Sequence, residues 1–414
     1  MSTASSLSFD NTENAFAYKS DRELKKARFL FSTMKYPLLV RWATRLTPWL
    51  LRTGLPVKGI IRNTIFEQFV GGETLGETAG VAKKLSEYKV QVILDYGVEG
   101  GQKDEAAFEQ SMEKFKEVIQ YASTQPNIPF MSVKVTGFAR YGLLEKLDSS
   151  VANAKGSLMK RYGAALESLN SDEKQEWQNV QHRMQGICLL AAEKGIGVLV
   201  DAEETWIQDP VDVMTILMME KFNQSKPVVY NTVQLYRHNR LNFLKDSLDA
   251  AELRGFILGV KLVRGAYMEK ERERAKELDY TSPIQPDKSA TDQDFDRAIH
   301  FCIDHLEKIA VIIATHNENS CRYVVERMQE KNLPANHSHI HFSQLYGMSD
   351  PVTFNLAKAG YLVSKYLPFG PIRDVIPYLM RRAQENTTVT GQTSRELVLI
   401  KRELQRRRQE GGPT

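Results

Sequence analysis

Polar and charged side chains punctuate a series of short apolar runs, and their positions define the chemistry open to this chain. Lys134 interrupts FMSVKVTGF, Asp201 closes GVLVDAEE, and Gln234 follows YNTV. Lys261 and Arg264 flank LV in GVKLVRGAY, His316 and Asn317 close IIATHN, Gln344 ends a run in HFSQL, and Tyr366 sits in LVSKYLPFG. A lysine in an apolar strand is costly to bury unless a counter-charge meets it. Lys134 and Lys261 are therefore read as functional, and Asp201 as the carboxylate that pairs with one of them or with an arginine to assemble a charged site. Adjacent Arg381 and Arg382 in YLMRRAQEN stand about 100° apart around a helix axis. Read as lying in the N-terminal half of that helix, they oppose its dipole. An anion offsets that cost, and a carboxylate is the natural guest because guanidinium groups bind it bidentately. His316 alone would be a satisfied core histidine. The alternation His337, His339, His341 has metal-ligand spacing, but it precedes the seventh run, at the wrong end of a strand for catalysis, with no cysteine nearby; no metal is assigned.

The elements that must position these residues follow from the apolar runs themselves. From residue 90 onward, Val90–Asp95, Phe130–Val135, Gly197–Ala202, Val228–Leu235, Ile257–Val263, Ala310–Thr315, Ile340–Gln344 and Leu362–Leu367 alternate with segments of helical period such as 106–121, 177–193, 211–222, 319–330 and 372–386. Such alternation marks parallel βα units, and eight of them close a (β/α)8 TIM-type barrel, an α/β fold whose active site lies at the C-terminal ends of the strands. The polar residues collected above stand at those ends. The expected organisation is a polar N-terminus and amphipathic helical extension over 1–85, a barrel over 86–396 and a charged tail over 397–414. A polar insertion is expected at about 145–176, after the second strand. Residues 1–26 are read as polar and mobile, and two short amphipathic helices with basic faces are read across Phe29–Phe69. The basic cluster of the tail KRELQRRRQEGGPT is read as a solvated surface.

Composition excludes several classes. A net charge of +4, from 55 basic and 51 acidic side chains, is too mild for a protein built to neutralise nucleic-acid phosphates. Three cysteines in no C-x-x-C spacing give neither a disulfide framework nor a zinc clip. There is no G-x-G-x-x-G, P-loop, H-E-x-x-H or G-x-S-x-G motif, so a nicotinamide Rossmann unit is out. No apolar run reaches the roughly 18 residues of a membrane span. The N-terminus lacks a signal-peptide layout, and Asp10 and Glu13 argue against a transit peptide. The expected location is cytoplasmic, with peripheral contact on the inner face of a membrane through the basic amphipathic segment.

Several separated motifs carry a family resemblance: KLVRGAYMEKER over 261–272, ATHNENS, FSQLYGMSD and KYLPFGPIRDVIPYLMRRAQEN. In this order, over about residues 60–395, the chain resembles proline dehydrogenase. Lys before LV and Arg after it is similar to the monofunctional, eukaryotic-like branch; the bifunctional bacterial branch reverses the pair, which leaves both Lys261 and Arg264 as candidates for the flavin N5 edge. The resemblance implies flavin-dependent oxidation of L-proline to Δ1-pyrroline-5-carboxylate, the first step of proline catabolism to glutamate, with a non-covalent FAD and a quinone as acceptor. It implies that Arg381, Arg382 and Lys134 hold the substrate carboxylate, that Tyr366 packs on the ring and that Asp201 balances the cations. It implies that Gln234, Lys261, Arg264, His316 and Glu385 contact the cofactor, with Gln344 a weaker candidate. Oligomerisation is allowed. From the residues alone, a Schiff-base aldolase using Lys134 or Lys261 and a small-carboxylate binding protein stay open.

Overall fold

Eight parallel strands follow the apolar runs within a residue or two: β1 Gln91–Tyr96, β2 Phe130–Val133, β3 Gly197–Val200, β4 Val229–Gln234, β5 Leu258–Val263, β6 Ile309–Ala314, β7 Ile340–Leu345 and β8 Val363–Phe369. They close a barrel in sequence order, the fold read from the sequence. The structure, a computed structural model, describes residues 7–36, 40–42, 57–97, 104–388 and 392–410. The strands read as continuous apolar runs because barrel strands are covered on both faces; β3 and β4 are buried along their whole length.

The chain divides into two compact units. Residues 98–315 and 323–341 carry β2 to β6. Here the helices end where their residues say they should. Asp104 caps helix Glu105–Ser123 by accepting from the Ala107 amide, and Gly195 and Gly255 close helices Ser171–Lys194 and Arg240–Arg254 at φ of 70° and 74°, the left-handed turn that glycine adopts without penalty. The polar stretch 145–176 is built of helices: Tyr141–Asn153, Leu158–Glu167 and the start of Ser171–Lys194. Leu143, Leu144, Leu147 and Val151 form the inner stripe of the first, at spacings of three and four residues. In the loop after β5, Gly265 has φ of 135°, and a Cβ there would lie 2.5 Å from the Tyr236 ring; only glycine fits.

Residues 1–97, 316–322 and 342–414 carry β1, β7 and β8. The N-terminus corrects the expectation of a mobile segment. Helices Thr12–Phe16 and Asp21–Thr33 are ordered, the second opened by a capping box in which the Ser20 hydroxyl accepts from the Glu23 amide and Glu23 accepts from the Ser20 amide. Phe9, Phe16, Leu24 and Phe31 are fully buried; at about 1.5–3 kcal/mol for each large apolar side chain removed from water, they outweigh the polar residues between them. Of the two amphipathic helices expected over 29–69, the structure shows a short helix Val57–Ile61 running through a π turn, Arg62–Phe66, into Glu67–Phe69; residues 37–39 and 43–56 lie outside the described residues. The basic C-terminal run is likewise more than a solvated face. Helix Gln392–Glu410 buries Leu397, Leu399, Ile400 and Leu404 in the same core as Phe16, Leu24 and Phe31. Glu403, 0% exposed, holds Arg406 and Arg407, and Arg407 also donates to the carbonyls of Phe16 and Lys19.

Candidate active site

Parallel pairing of β2, β3, β4 and β5 sets the first group of side chains. Val133 is opposite Val200, and the Asp201 amide donates to the Val133 carbonyl at 2.9 Å, so Lys134 and Asp201 leave neighbouring strands side by side. Their ion pair is 3.3 Å long, and the other carboxylate oxygen accepts from Lys261 of β5. The side chains are 9%, 12% and 6% exposed for Lys134, Asp201 and Lys261. One carboxylate thus bridges two buried ammonium groups, the pairing anticipated from the cost of burying lysine.

Gln234, at the end of β4, donates from Nε2 to the Glu203 carbonyl at 3.0 Å, while its Oε1 is buried with no hydrogen-bond partner. The Glu203 carboxylate accepts from Thr136 at 2.9 Å. Just past β5, Arg264 is fixed on three sides: Nε donates to Asp292 at 2.7 Å, Nη1 to Thr315 at 2.6 Å, and the guanidinium lies 4.3 Å from the Phe295 ring centre. Burial would push Asp292 up, but hydrogen bonds from Lys288 and Arg264 outweigh it and hold the carboxyl below its ordinary range. Asp292, Thr315 and Glu203 were not singled out from the sequence. Thr315 could have been, as the residue before His316 at the end of β6.

The second group belongs to β7, β8 and the segments around them. His316 Nδ1 lies 2.9 Å from the Ser349 hydroxyl. Gln344, in β7, accepts from Thr353 at 2.8 Å. Tyr366 is half-buried in β8; its neighbour Lys365 points to the opposite face, 0% exposed, and donates to the Met348 carbonyl at 2.6 Å and pairs with Asp350 at 2.9 Å. Asp350 also takes Lys19 at 2.9 Å and the Tyr18 hydroxyl at 2.8 Å. Burial raises the Asp350 carboxyl, but the two lysines overcome it and hold it well below the usual range. The rule that selected Lys134 and Lys261 applies equally to Lys365, which it passed over; this lysine is satisfied by Asp350 and a backbone carbonyl.

Arg381 is half-buried and Arg382 is 6% exposed, with its guanidinium 5.2 Å from the Tyr378 ring centre. Their helix runs from Ile372 to Thr388, so Arg381 is the tenth of 17 residues. That corrects the reading of both in the N-terminal half: past the middle of the helix, dipole opposition is no argument for an anion, and the burial of Arg382 takes its place. Glu385 occupies a position in the same helix, and its side chain lies outside those described. Of the histidine triplet, His339 Nδ1 meets the Leu306 carbonyl at 2.7 Å and His337 Nδ1 accepts from the His339 amide. His341 packs its ring against Phe130 with centres 5.0 Å apart, and burial pushes it down to about 3. All three have structural partners.

A family model described as proline dehydrogenase matches residues 79–395. Proline dehydrogenase 1, mitochondrial, of Dictyostelium discoideum is 33% identical over 85% of this chain, which spans 66% of that protein's length. Hydroxyproline dehydrogenase of Xenopus laevis is 32% identical over 97% of this chain and 90% of its own, and proline dehydrogenase 2, mitochondrial, of Arabidopsis thaliana is 31% identical over 97% and 93%. Proline utilization A from Bdellovibrio bacteriovorus, inactivated by N-propargylglycine, superposes with a TM-score of 0.68 at 19% identity, over 92% of this chain and 37% of that one; at that identity the likeness is one of fold. The cytoplasmic expectation is corrected by these relatives. Those from Dictyostelium and Arabidopsis are designated mitochondrial, and this outweighs a compositional argument built on Asp10 and Glu13. Among the described residues no helix is long and apolar enough to cross a membrane. With eight βα units, motifs in order and a family match over most of its length, the chain belongs to the proline dehydrogenase family.

Proposed function

We propose that the protein oxidises L-proline to Δ1-pyrroline-5-carboxylate, using non-covalently bound FAD and passing the electrons to a quinone. The observation that carries this reading is the buried Lys134–Asp201–Lys261 cluster, together with the orphaned acceptor of Gln234 at the end of β4. A buried carbonyl oxygen without a donor costs about 1–3 kcal/mol, and a flavin, which offers N–H and hydroxyl donors, fits that vacancy in the hydrogen-bond account. When bound, FAD accepts the hydride from the substrate's ring carbon.

The chain's own residues bind, balance and orient. Arg381, Arg382 and Lys134 serve the substrate carboxylate, and Tyr366 serves the ring. Asp201 offsets part of the charge of Lys134 and Lys261, leaving that cluster cationic toward the carboxylate of proline. Gln234, Lys261, Arg264, His316 and Glu385 serve the cofactor. Lys261 and Arg264 are the two cations that would stabilise negative charge on the cofactor, and they differ in how they are held: Lys261 by Asp201, Arg264 by Asp292, Thr315 and Phe295. Gln344 is engaged by Thr353 and recedes as a cofactor ligand. Both lysines that a Schiff-base aldolase would use are tied to one carboxylate, not presented as free nucleophiles.

For the acceptor, exposed Phe29, Tyr36, Trp42 and Ile60 beside basic residues support peripheral docking on an anionic membrane where a quinone resides. The test of the reaction is whether purified protein carries FAD that L-proline reduces without oxygen, and D-proline and NADH do not. For the acceptor, charged substitutions at Phe29 and Trp42 should depress turnover with liposome-embedded quinone more than with a soluble dye; equal losses refute membrane docking.

A further inference from the structure

The C-terminal helix Gln392–Glu410 has no part in the reaction as proposed, yet two adjacent residues near its start reach two different strand-end loops. Arg395 grips the Glu318 carboxylate with Nε on one oxygen and Nη2 on the other, the latter at 2.9 Å, and Nη2 also donates to Asp10 at 3.1 Å. Glu318 opens the helix after β6, two residues beyond His316. Between them Asn317 folds its side chain back to accept from the amides of Asn319 and Ser320, at 2.9 and 3.3 Å. The loop bearing His316 is thus held at its far end by a bidentate ion pair and locally by a cap.

Glu396 holds the other loop. Its Oε2 accepts from the Ser349 amide at 3.0 Å. Ser349 has φ of 52° and ψ of 40°, a left-handed conformation that a residue with a Cβ adopts at a cost of about 1–3 kcal/mol unless its surroundings enforce it. In that conformation its hydroxyl meets His316 Nδ1 at 2.9 Å. The hydrogen bond at one imidazole nitrogen decides whether the other donates or accepts. The helix therefore acts on His316 by two routes, one through the backbone after Glu318 and one through the hydroxyl of Ser349. A carboxylate is the stronger acceptor of the two protonation states, and burial, followed by the charge of Asp350, pushes Glu396 up to about 7, against the opposing pull of Lys19 and Lys365. Tyr18, which donates to Asp350, also lies in the electrostatic surroundings of Glu396.

We propose that Arg395 and Glu396 are positioning residues for the cofactor: through Glu318 and Ser349 they fix the orientation of His316, so that the C-terminal helix governs flavin binding without touching the flavin. This rests on the reading that His316 contacts FAD.

The test measures FAD dissociation by flavin fluorescence and the flavin midpoint potential on the full chain. His316→Ala should weaken FAD binding about 10-fold or more, the scale on which residues behind a ligand contact act elsewhere. Glu396→Leu and Ser349→Ala should each weaken it about as much, and the double variant no further, because both act through one contact. Glu396→Gln, which keeps an acceptor, should stay within about threefold of wild type. As pH falls through about 7, wild type should drop only to the affinity of Glu396→Gln, which mimics the protonated acid and itself stays flat. The proposal is overturned if Glu396→Leu binds FAD as wild type does, if the Glu396 and Ser349 effects add in full, or if the Gln variant keeps the wild-type pH profile. An unchanged dissociation constant and potential in His316→Ala would instead sink the underlying reading of His316.

Discussion

Asp201→Ala removes a carboxylate shared by Lys134 and Lys261, and the structure sets the size of the loss. A solvent-exposed ion pair is worth at most about 1 kcal/mol, whereas removing one partner of a buried pair costs about 3–5 kcal/mol because a charge is left in low dielectric. Side-chain exposures of 9%, 12% and 6% put this triad in the second class, and here two lysines lose a counter-charge at once. The variant should therefore lose about 3–5 kcal/mol of stability, read as a fall in the urea midpoint with the slope unchanged. Asp201→Asn, which keeps an acceptor, should lose less. Replacing Lys134 by Met in the Asp201→Ala background should recover part of the loss, a coupling that a double-mutant cycle isolates. If Asp201→Ala stays within about 1 kcal/mol of wild type, or if the two substitutions simply add, the lysines are not held by Asp201 and the charge-balance argument for the site fails.

Arg382→Ala should raise the KM for proline by the equivalent of about 2–5 kcal/mol while bound flavin is retained. The half-buried Arg381 should cost less, and wild-type kcat/KM in both variants would remove the pair from the site. Tyr366→Ser should lower kcat/KM for L-proline and shift preference toward trans-4-hydroxy-L-proline by about 1–3 kcal/mol, the similarity to a hydroxyproline dehydrogenase making this comparison pointed; parallel losses on both substrates would mean that Tyr366 only packs. Burial, then the charge of Asp209, pushes Asp148 up to about 7. The folded state therefore keeps a proton that the unfolded chain has shed, and the contribution is complete below about pH 4 and lost as pH rises through 7. Asp148→Asn should remove this dependence, diverging from wild type by up to about 4 kcal/mol between pH 4 and pH 8; parallel stability curves would refute it.

The barrel was legible because each strand is covered on both faces and so reads as an unbroken apolar run, even where a lysine interrupts it. Lys134, Asp201 and Lys261 could be found for the same reason, since a charge inside such a run demands a partner. The same reasoning also applied to Lys365, and the sequence alone could not separate the lysines that gather on Asp201 from the one that meets an aspartate 15 residues before it in the chain. The helices of 145–176 and the N-terminal helix were missed for a different reason. Their apolar stripes are narrow and diluted by charge, although the Ser20–Glu23 spacing of a capping box stood in plain view. What no local pattern could reveal is long-range: Glu396 lies 47 residues from Ser349, and Arg395 lies 77 from Glu318, so a helix read as a solvated charged tail proved to brace two loops.

The central claim is tested most directly by the visible spectrum of the purified full chain during anaerobic addition of L-proline. Flavin absorption should bleach on adding L-proline and stay unchanged with D-proline or NADH. A colourless protein that FAD does not reconstitute, or a bound flavin that L-proline leaves oxidised, would contradict it.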